Sequence, residues 1–248
     1  HTNQIYASRI LKKIFEGNRE IDCIISSKNL KKDNNLFSSI KQVIGESGLL
    51  YFLLRSLEHF YFLYLKKFKK SIYYDVKKIA EEHSIKIIDV KNINSAESIN
   101  IIRKRGPDLI ISIYFNQILK KNLIEIPKLG CINIHRAPLP KYRGACSAFW
   151  QLLNEETETA VTIHYIDEGL DSGPIIAERY FNIPPKCTHH NLCEKSADTA
   201  SEIILPVLDK IEKNEVNPKK QIEEHKRKYP SPTPTAVRQF VNKKKRFF

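Results

Sequence analysis

Several common signatures are missing from this 248-residue chain, and each absence excludes a class of protein. Neither Gly-x-Gly-x-x-Gly nor a Walker loop occurs among the 8 glycines, which argues against nicotinamide dehydrogenases and phosphate-loop enzymes. The 5 cysteines are odd in number and widely spaced, so we expect no disulfide framework and a reducing, cytoplasmic compartment. No secretory signal is visible. Methionine is absent even from position 1, which predicts either that a piece preceding residue 1 is missing or that methionine positions have been lost.

The composition is that of a globular protein, with 42% hydrophobic and 28% charged residues. The length suits one large domain, or one domain with a small appendage. The net charge of +13 favours an anionic ligand such as a nucleotide diphosphate or RNA, but a lysine-rich solvated surface would explain it equally well. Charge therefore does not identify the substrate.

The apolar pattern predicts alternating helices and strands. Helices are expected at 5–15, 75–83, 95–104, 117–124 and 148–153, and strands at 21–25, 85–90, 109–114, 131–135 and 159–166. This alternation predicts an α/β fold, in which right-handed crossovers build a mainly parallel sheet flanked by helices. Ligands of such sheets bind beyond the carboxyl ends of the strands.

The C-terminal part differs in composition from the rest. A helix is expected from His189 to Lys213 with Thr188 as its cap, followed by a lysine-rich linker over 214–228. The tail is rich in proline and basic residues, and Thr235 would cap a last helix that ends at Asn242. We therefore divide the chain into a catalytic domain, 1–185, and a C-terminal extension, 186–248.

Residues 49–65 are densely apolar and aromatic. The stretch is short for a transmembrane span and is interrupted by Arg55, Glu58 and His59. It predicts a helix that covers the sheet. Contact with a membrane surface or with a partner stays open as an alternative.

Three polar residues suggest chemistry. Asn133 and His135 lie two apart in a predicted strand, so their side chains share one face, and Asp171 follows on a glycine-bounded loop. An amide donor can hold an oxyanion, an imidazole can exchange a proton near neutral pH, and a carboxylate can orient that imidazole. These groups suit transfer of an acyl group between two nitrogens. Taken alone, Asn-x-His could equally be a capped strand end beside an unrelated acidic turn.

The surrounding residues resemble the folate-dependent formyltransferase family. The resemblance rests on Asn133-Ile134-His135, Leu139-Pro140-Lys141-Tyr142-Arg143-Gly144, Val161-Thr162-Ile163-His164 and Asp171-Ser172-Gly173-Pro174-Ile175-Ile176. It implies a Rossmann-like formyltransferase fold whose first strand is missing here, with 10-formyltetrahydrofolate as formyl donor and no metal. The family's catalytic Asn, His and Asp fall on Asn133, His135 and Asp171.

The resemblance also implies binding residues. Phe115, Gln117, Ile118 and Leu119 match the segment that receives the pterin ring, although Ile118 and Leu119 could simply be core. Ile166, Asp167 and Glu168 match the loop that closes the other side of the folate pocket, and the two acids could instead be solvent-facing. Lys141, Tyr142 and Arg143 follow the catalytic strand, where two cations suit a phosphate or carboxylate of the substrate.

The acceptor is less well defined. Lys141-Tyr142-Arg143-Gly144 together with Phe149-Trp150 looks most like the amino-sugar formyltransferases, so we expect a small anionic amine of a nucleotide-linked sugar. Methionyl-tRNA, glycinamide ribonucleotide, hydrolysis to formate and a non-catalytic folate-binding role stay open, as does a homodimer. Cys187, His189, His190 and Cys193 cluster at spacings that match no zinc pattern, and we interpret them as a helix start.

Overall fold

The computed structural model describes residues 2–27, 36–68, 75–222 and 228–248. Helices and strands alternate along them in the order α1 (Thr2–Glu16), β1 (Cys23–Ser27), α2 (Leu36–Phe68), α3 (Val76–Glu82), β2 (Lys86–Val90), α4 (Ala96–Arg105), β3 (Ile110–Ile113), α5 (Lys121–Ile124), β4 (Cys131–His135), α6 (Ser147–Leu153), β5 (Glu158–Tyr165), β6 (Ile175–Asn182), α7 (His189–Glu212) and α8 (Pro234–Asn242). The predicted elements are present within a few residues of their expected bounds, except at residues 117–120 and for the helix expected over 49–65, which begins at Leu36. Residues 223–227 of the predicted linker lie outside the described residues.

The described strands form two sheets. β1 pairs in parallel with β2, and the second sheet has the order β3-β4-β5-β6. β3 and β4 are parallel, whereas β5 pairs antiparallel with both β4 and β6. The α/β class is confirmed, but antiparallel pairs are as frequent as parallel ones. The pattern did not indicate β6, and the short connection of residues 166–174 before it suits an antiparallel return rather than a crossover.

Side-chain caps set the helix boundaries. Thr188 and Asn191 form a reciprocal capping box at the start of α7, which confirms the predicted cap. At α8 the cap is Thr233, not Thr235, because Pro234 takes the first helical position and the Thr233 hydroxyl accepts from Ala236 N. Pro at that position is favoured since its missing N–H would have no partner within the helix.

One hydrophobic core joins the two ends of the chain. Tyr6 and Ile10 of α1 pack with Ile204 of α7, and the buried strands β4 and β5 lie against the same cluster. Phe247, only 3% exposed, packs near the rings of Phe149 and Phe240. The core therefore runs across residue 185, where we divide the sequence.

The C-terminal end of the chain also completes a helix start. The backbone N–H groups of His189 and His190, in the first turn of α7, donate to the carbonyl oxygens of Arg246 and Phe247 over 2.9 Å each. The first N–H groups of a helix have no partner within it, so this contact satisfies two of them.

Helix α2 is confirmed, but it bends at Gly48, whose φ of 87° is not helical. Its inner face packs against α8 and the tail rather than against the sheet, because Phe62 meets Tyr6 and Tyr51 meets Phe247. Within the described residues, no helix has the length and apolarity needed to cross a bilayer.

A buried charge cluster fastens α2 to α7. The Glu58 carboxylate is almost fully buried, pairs with Arg55 and lies 3.4 Å from Nδ1 of His189. Burial would raise the pKa of Glu58, but the hydrogen bond from His189 and the positive charges of His189 and Arg55 lower it. Burial would likewise lower the pKa of His189, yet the Cys193 sulfur and Glu58 outweigh it and raise that pKa to about 9.

The raised pKa of His189 predicts a pH-dependent stability. A histidine whose pKa is raised by folding stabilises the protein fully below its unfolded pKa of about 6.5, and this contribution is lost as pH rises through about 9. We expect the free energy of unfolding to fall more across this window in the parent chain than in His189→Gln, with the lowered pKa of Cys193 opposing part of that fall. Denaturant unfolding at several pH values measures the difference. The same dependence of the free energy of unfolding on pH in both proteins would contradict the raised pKa of His189.

Candidate active site

A row of polar side chains crosses three strands of the second sheet. The strand register places Ser112 of β3 beside Asn133 of β4, and Asn133 beside His164 of β5. The Ser112 hydroxyl donates to Oδ1 of Asn133 over 2.9 Å, and Nδ2 of Asn133 lies 3.2 Å from Nε2 of His164. The Asn133 amide is thus oriented from both sides, with its nitrogen directed toward the β5 side.

His164 is neutral at physiological pH. Burial, and then the neighbouring His135, lower its pKa to about 4. Its Nδ1 lies 2.6 Å from the carbonyl oxygen of Tyr165, which can only accept, so Nδ1 carries the proton. Nε2 is then an acceptor, and it receives one hydrogen of the Asn133 amide.

Asp171 reaches this row from the connection between β5 and β6. Its Oδ1 accepts from Nδ2 of Asn133 over 3.3 Å, and its Oδ2 accepts from the backbone N–H of Gly144 over 2.8 Å. Nδ1 of His135 lies 3.7 Å from Oδ2 of Asp171. The structure therefore brings together the three residues that the sequence pattern singled out as catalytic.

The orientation of His135 follows from one hydrogen bond. Its Nε2 lies 2.7 Å from the carbonyl oxygen of Tyr142, so Nε2 donates and carries a proton. In the neutral ring Nδ1 then has a free lone pair on the side of Asp171. The 3.7 Å separation between Nδ1 and the carboxylate exceeds a hydrogen bond.

Gln221 holds the Asp171 loop, and the sequence analysis missed it. Its Nε2 donates to the carbonyl oxygens of Asp171 and Gly173 over 2.9 and 2.8 Å, while its Oε1 accepts from the Arg143 guanidinium. Asp171 itself has a φ of 49°, a left-handed conformation that surrounding contacts must maintain. No local signal marks Gln221, because it lies 50 residues beyond Asp171 within the predicted lysine-rich linker.

Two glycines allow the close backbone approaches that the site needs. A Cβ at Gly173 would collide with the carbonyl oxygen of Tyr165, and one at Gly144 with that of Tyr229. Gly144 also has a φ of 120°, which other residues rarely adopt. The backbone N–H that contacts Asp171 can therefore occupy its place only at a glycine.

A cleft of about 320 Å³ opens beside the three residues. Among the predicted pterin and folate-loop residues, its lining includes Phe115, Gln117, Ile118, Leu119, Ile166 and Asp167. Glu168 is exposed and is not part of this lining. One wall of the cleft is thus apolar, and the polar row lies at its floor.

The segment before α5 is extended rather than helical. Gln117 accepts from Ile93 N and donates to the carbonyl oxygen of Lys91, while Asn94 bonds the backbone of Ile118 and Lys120. These contacts hold residues 117–120 away from helical geometry, which is why α5 begins at Lys121 and not at Gln117. Ile118, at 55% exposed, consequently lies at the mouth of the cleft rather than in the core.

The three predicted substrate-binding residues lie beside the cleft and not in its lining. Lys141 pairs with Glu156 over 2.6 Å, and the hydroxyl of buried Tyr142 donates to the same carboxylate. Arg143 is buried and donates to Gln221. In this structure Tyr142 and Arg143 support the site from behind, through His135 and through the Asp171 loop.

The Cys and His residues at 187–193 form the start of α7. The Cys193 sulfur lies 3.9 Å from both ring nitrogens of His189. Within the part of the chain that the structure describes, no group of three or more His, Cys, Asp and Glu side chains is arranged to hold a metal ion.

Comparison with known proteins identifies the family. The sequence profile described as formyl transferase matches residues 66–208, more than half of the chain, so the chain belongs to the formyl transferase family. This confirms the predicted resemblance.

Curated relatives match part of their length. The methionyl-tRNA formyltransferase of Geobacter metallireducens is 40% identical over 146 residues, which cover 59% of this chain and 47% of that protein. That of Clostridioides difficile is 39% identical over 150 residues, covering 60% of this chain and 48% of that protein. The chain thus spans about half the length of the curated relatives it matches.

Solved structures share the fold. The N-formyltransferase from Helicobacter canadensis, in complex with folinic acid and dTDP-3-aminofucose, aligns with a TM-score of 0.54 and 22% identity over 86% of this chain and 71% of that one. At that identity it shows the fold alone. WlaRD, a sugar 3N-formyl transferase, aligns with a TM-score of 0.51 and 28% identity over 65% of this chain and 55% of that one.

The contacts of Gln221 predict that it positions Asp171. In Gln221→Glu the new carboxylate can still accept from Arg143, but it cannot donate to the carbonyls of Asp171 and Gly173. We expect formyl-transfer turnover to fall roughly 10- to 100-fold, since small displacements of reacting groups are costly. The Michaelis constants and the circular dichroism spectrum should change little. The matched control is Gln239→Glu, an exposed position on α8, and equal turnover of the two variants would exclude the positioning role.

Proposed function

We propose that this protein transfers a formyl group from 10-formyltetrahydrofolate to the primary amine of a nucleotide-linked amino sugar. The observation that carries the proposal is the convergence of Asn133 and His135 on Asp171 in the lining of a cleft. The Asp171 carboxylate lies 3.3 Å from the Asn133 amide nitrogen and 3.7 Å from Nδ1 of His135. Membership of the formyl transferase family supports the reaction class.

The cleft fits a folate. Phe115, Ile118, Leu119, Ile166 and Leu170 line it with apolar surface suited to an aromatic ring, and the polar row faces the same space. A structural relative at 28% identity supports a folate-derived donor, since WlaRD was solved with 5-N-formyl-THF. When bound, the folate supplies the formyl carbon that the amine attacks.

Asn133 is the principal oxyanion donor in this proposal. Its amide hydrogen toward Asp171 spans 3.3 Å, long for a bond to a carboxylate, so that hydrogen is available to a formyl oxygen on which negative charge develops. Ser112 and His164 keep the amide from flipping, because one supplies a donor to its oxygen and the other an acceptor for its nitrogen.

His135 and Asp171 handle the proton of the attacking amine. Nε2 of His135 is engaged with Tyr142, so only Nδ1 can exchange a proton, and it faces Asp171 across the 3.7 Å gap. A water bound beside both groups would pass the amine proton to the departing folate nitrogen. While Nδ1 of His135 carries that proton on its way, His135 is a second donor to the oxyanion.

The amino-sugar assignment is supported by WlaRD, a sugar 3N-formyl transferase at 28% identity. Methionyl-tRNA is the second candidate, favoured by the 40% identity to the Geobacter metallireducens enzyme. That match covers less than half of the enzyme, and within it the formyl-transfer chemistry is common to both substrate classes.

Substitution of the catalytic residues tests the reaction. We expect Asp171→Asn and His135→Ala each to lower turnover by at least about 100-fold with the fold retained, because proton transfer loses a partner. Release of tetrahydrofolate in the presence of an acceptor amine is the measurement, with circular dichroism as the folding check. Asp108→Asn, which alters an exposed carboxylate paired with Lys128, is the control. Near-parent turnover in both catalytic variants would refute the assigned roles.

An acceptor panel distinguishes the two substrate classes. We expect formylation of a nucleotide-linked amino sugar and no competition from tRNA. A tRNA substrate would instead give activity that falls steeply with salt, since each phosphate contact releases counterions. Parallel assays with amino-sugar nucleotides, glycinamide ribonucleotide and methionyl-tRNA, each over a salt series, decide the matter. Tetrahydrofolate release without any formylated amine would point to hydrolysis.

A further inference from the structure

The outer face of α2 is an unusually large exposed apolar surface. After the bend at Gly48, eight large apolar or aromatic side chains of this helix are between 37% and 65% exposed: Leu49, Leu50, Leu53, Leu57, Phe60, Tyr61, Leu63 and Tyr64. The opposite face packs against the rest of the protein, since Glu58 and Phe62 are buried. The helix therefore carries two apolar faces, and only the inner one is covered within the described residues.

The exposed positions have the spacing of a helix-pairing surface. Leu50, Leu53, Leu57, Phe60 and Tyr64 follow one another at intervals of three, four, three and four residues, and we name this set the α2 seam. Alternating steps of three and four place side chains in a stripe that interlocks with a second helix. Leu49 and Leu63 flank the stripe and widen it beyond a minimal coiled-coil contact.

The size of the surface matches half of a protein interface. At about 150–250 Å² for each fully buried aromatic and somewhat less for leucine, these partly exposed side chains present on the order of 800 Å². That is about the area which one partner contributes to a standard interface. It also exceeds the roughly 300–600 Å² of the largest apolar patch on a typical monomer.

The charges around the seam favour a second copy of the chain. From Val43 to Tyr64 the only charged residues are Glu46, Arg55 and Glu58, and the last two pair with each other. A protein of net charge +13 repels its copies over most of its surface, so an uncharged stripe is where two copies can meet.

We propose that two copies of this protein pair through the α2 seam in a two-fold symmetric dimer. In such an interface the same patch is used by both copies, so residues near the axis meet themselves. Leu57 is the middle residue of the seam and lies nearest that axis. The interface is separate from the cleft, so pairing leaves the three catalytic residues accessible.

The oligomeric state in solution tests the proposal. Sedimentation equilibrium at micromolar concentrations should show a dimer for the parent chain. Phe60→Glu should raise the dissociation constant at least about 100-fold, because a charge would be buried at the seam without a partner. Tyr180→Glu is the matched control, as Tyr180 is 51% exposed on β6 and away from α2. A monomeric parent chain, or an undiminished dimer in Phe60→Glu, would overturn the proposal.

A mixing experiment distinguishes a second copy from other partners. Leu57→Glu and Leu57→Lys should each be monomeric, and an equimolar mixture should recover the dimer, since opposite charges then face each other across the axis. Recovery is expected only if the seam pairs with itself. Vesicles containing anionic lipid form a separate arm. Co-sedimentation of a monomeric parent chain with them, abolished by Phe60→Glu, would assign the seam to a lipid surface instead.

Discussion

The carboxylate of Asp171 is the constraint on which the site depends. It touches both Asn133 and the backbone of Gly144, and it lies 3.7 Å from Nδ1 of His135. Its own backbone sits in a left-handed conformation that Gln221 secures from outside the sheet. Elements far apart in the sequence thus converge on one side chain, and the positions of Asn133 and His135 are defined relative to it.

Mutual hydrogen bonds make the polar row rigid. His164 is buried and Ser112 and Asn133 are half-buried, and polar groups removed from water are costly unless each finds a partner. Each side chain of the row has such a partner. The hydrogen bonds run from Ser112 to Asn133, from Asn133 to His164, and from His164 to the carbonyl oxygen of Tyr165. Burial lowers the pKa of His164 and keeps its ring neutral, so Nε2 accepts a hydrogen from the Asn133 amide. The neutral ring thereby selects the orientation in which the amide nitrogen also lies toward Asp171.

The local sequence pattern was sufficient to predict most of the helices and strands. Together with the family resemblance, it also predicted that Asn133, His135 and Asp171 converge. Strand alternation placed the first two on one face, and the family's spacing indicated the third. Contacts between distant segments could not be inferred in this way. Gln221 and the role of Arg143 behind the site depend on a return of the chain after β6, and residues 117–120 are extended only because Gln117 and Asn94 bond neighbouring backbone. The antiparallel direction of β5 likewise arises from tertiary pairing, which periodicity does not encode.

The contact between α7 and the last residues of the chain has a consequence for biosynthesis. The first N–H groups of α7 find their acceptors at Arg246 and Phe247, and α7 is also the partner of α1. A ribosome must therefore deliver residues from near positions 6, 190 and 247 before this core can close. Such long-range closure is slow compared with local helix formation. The nascent polypeptide consequently exposes its apolar surfaces until translation has passed Phe247, an interval in which chaperone protection is most valuable.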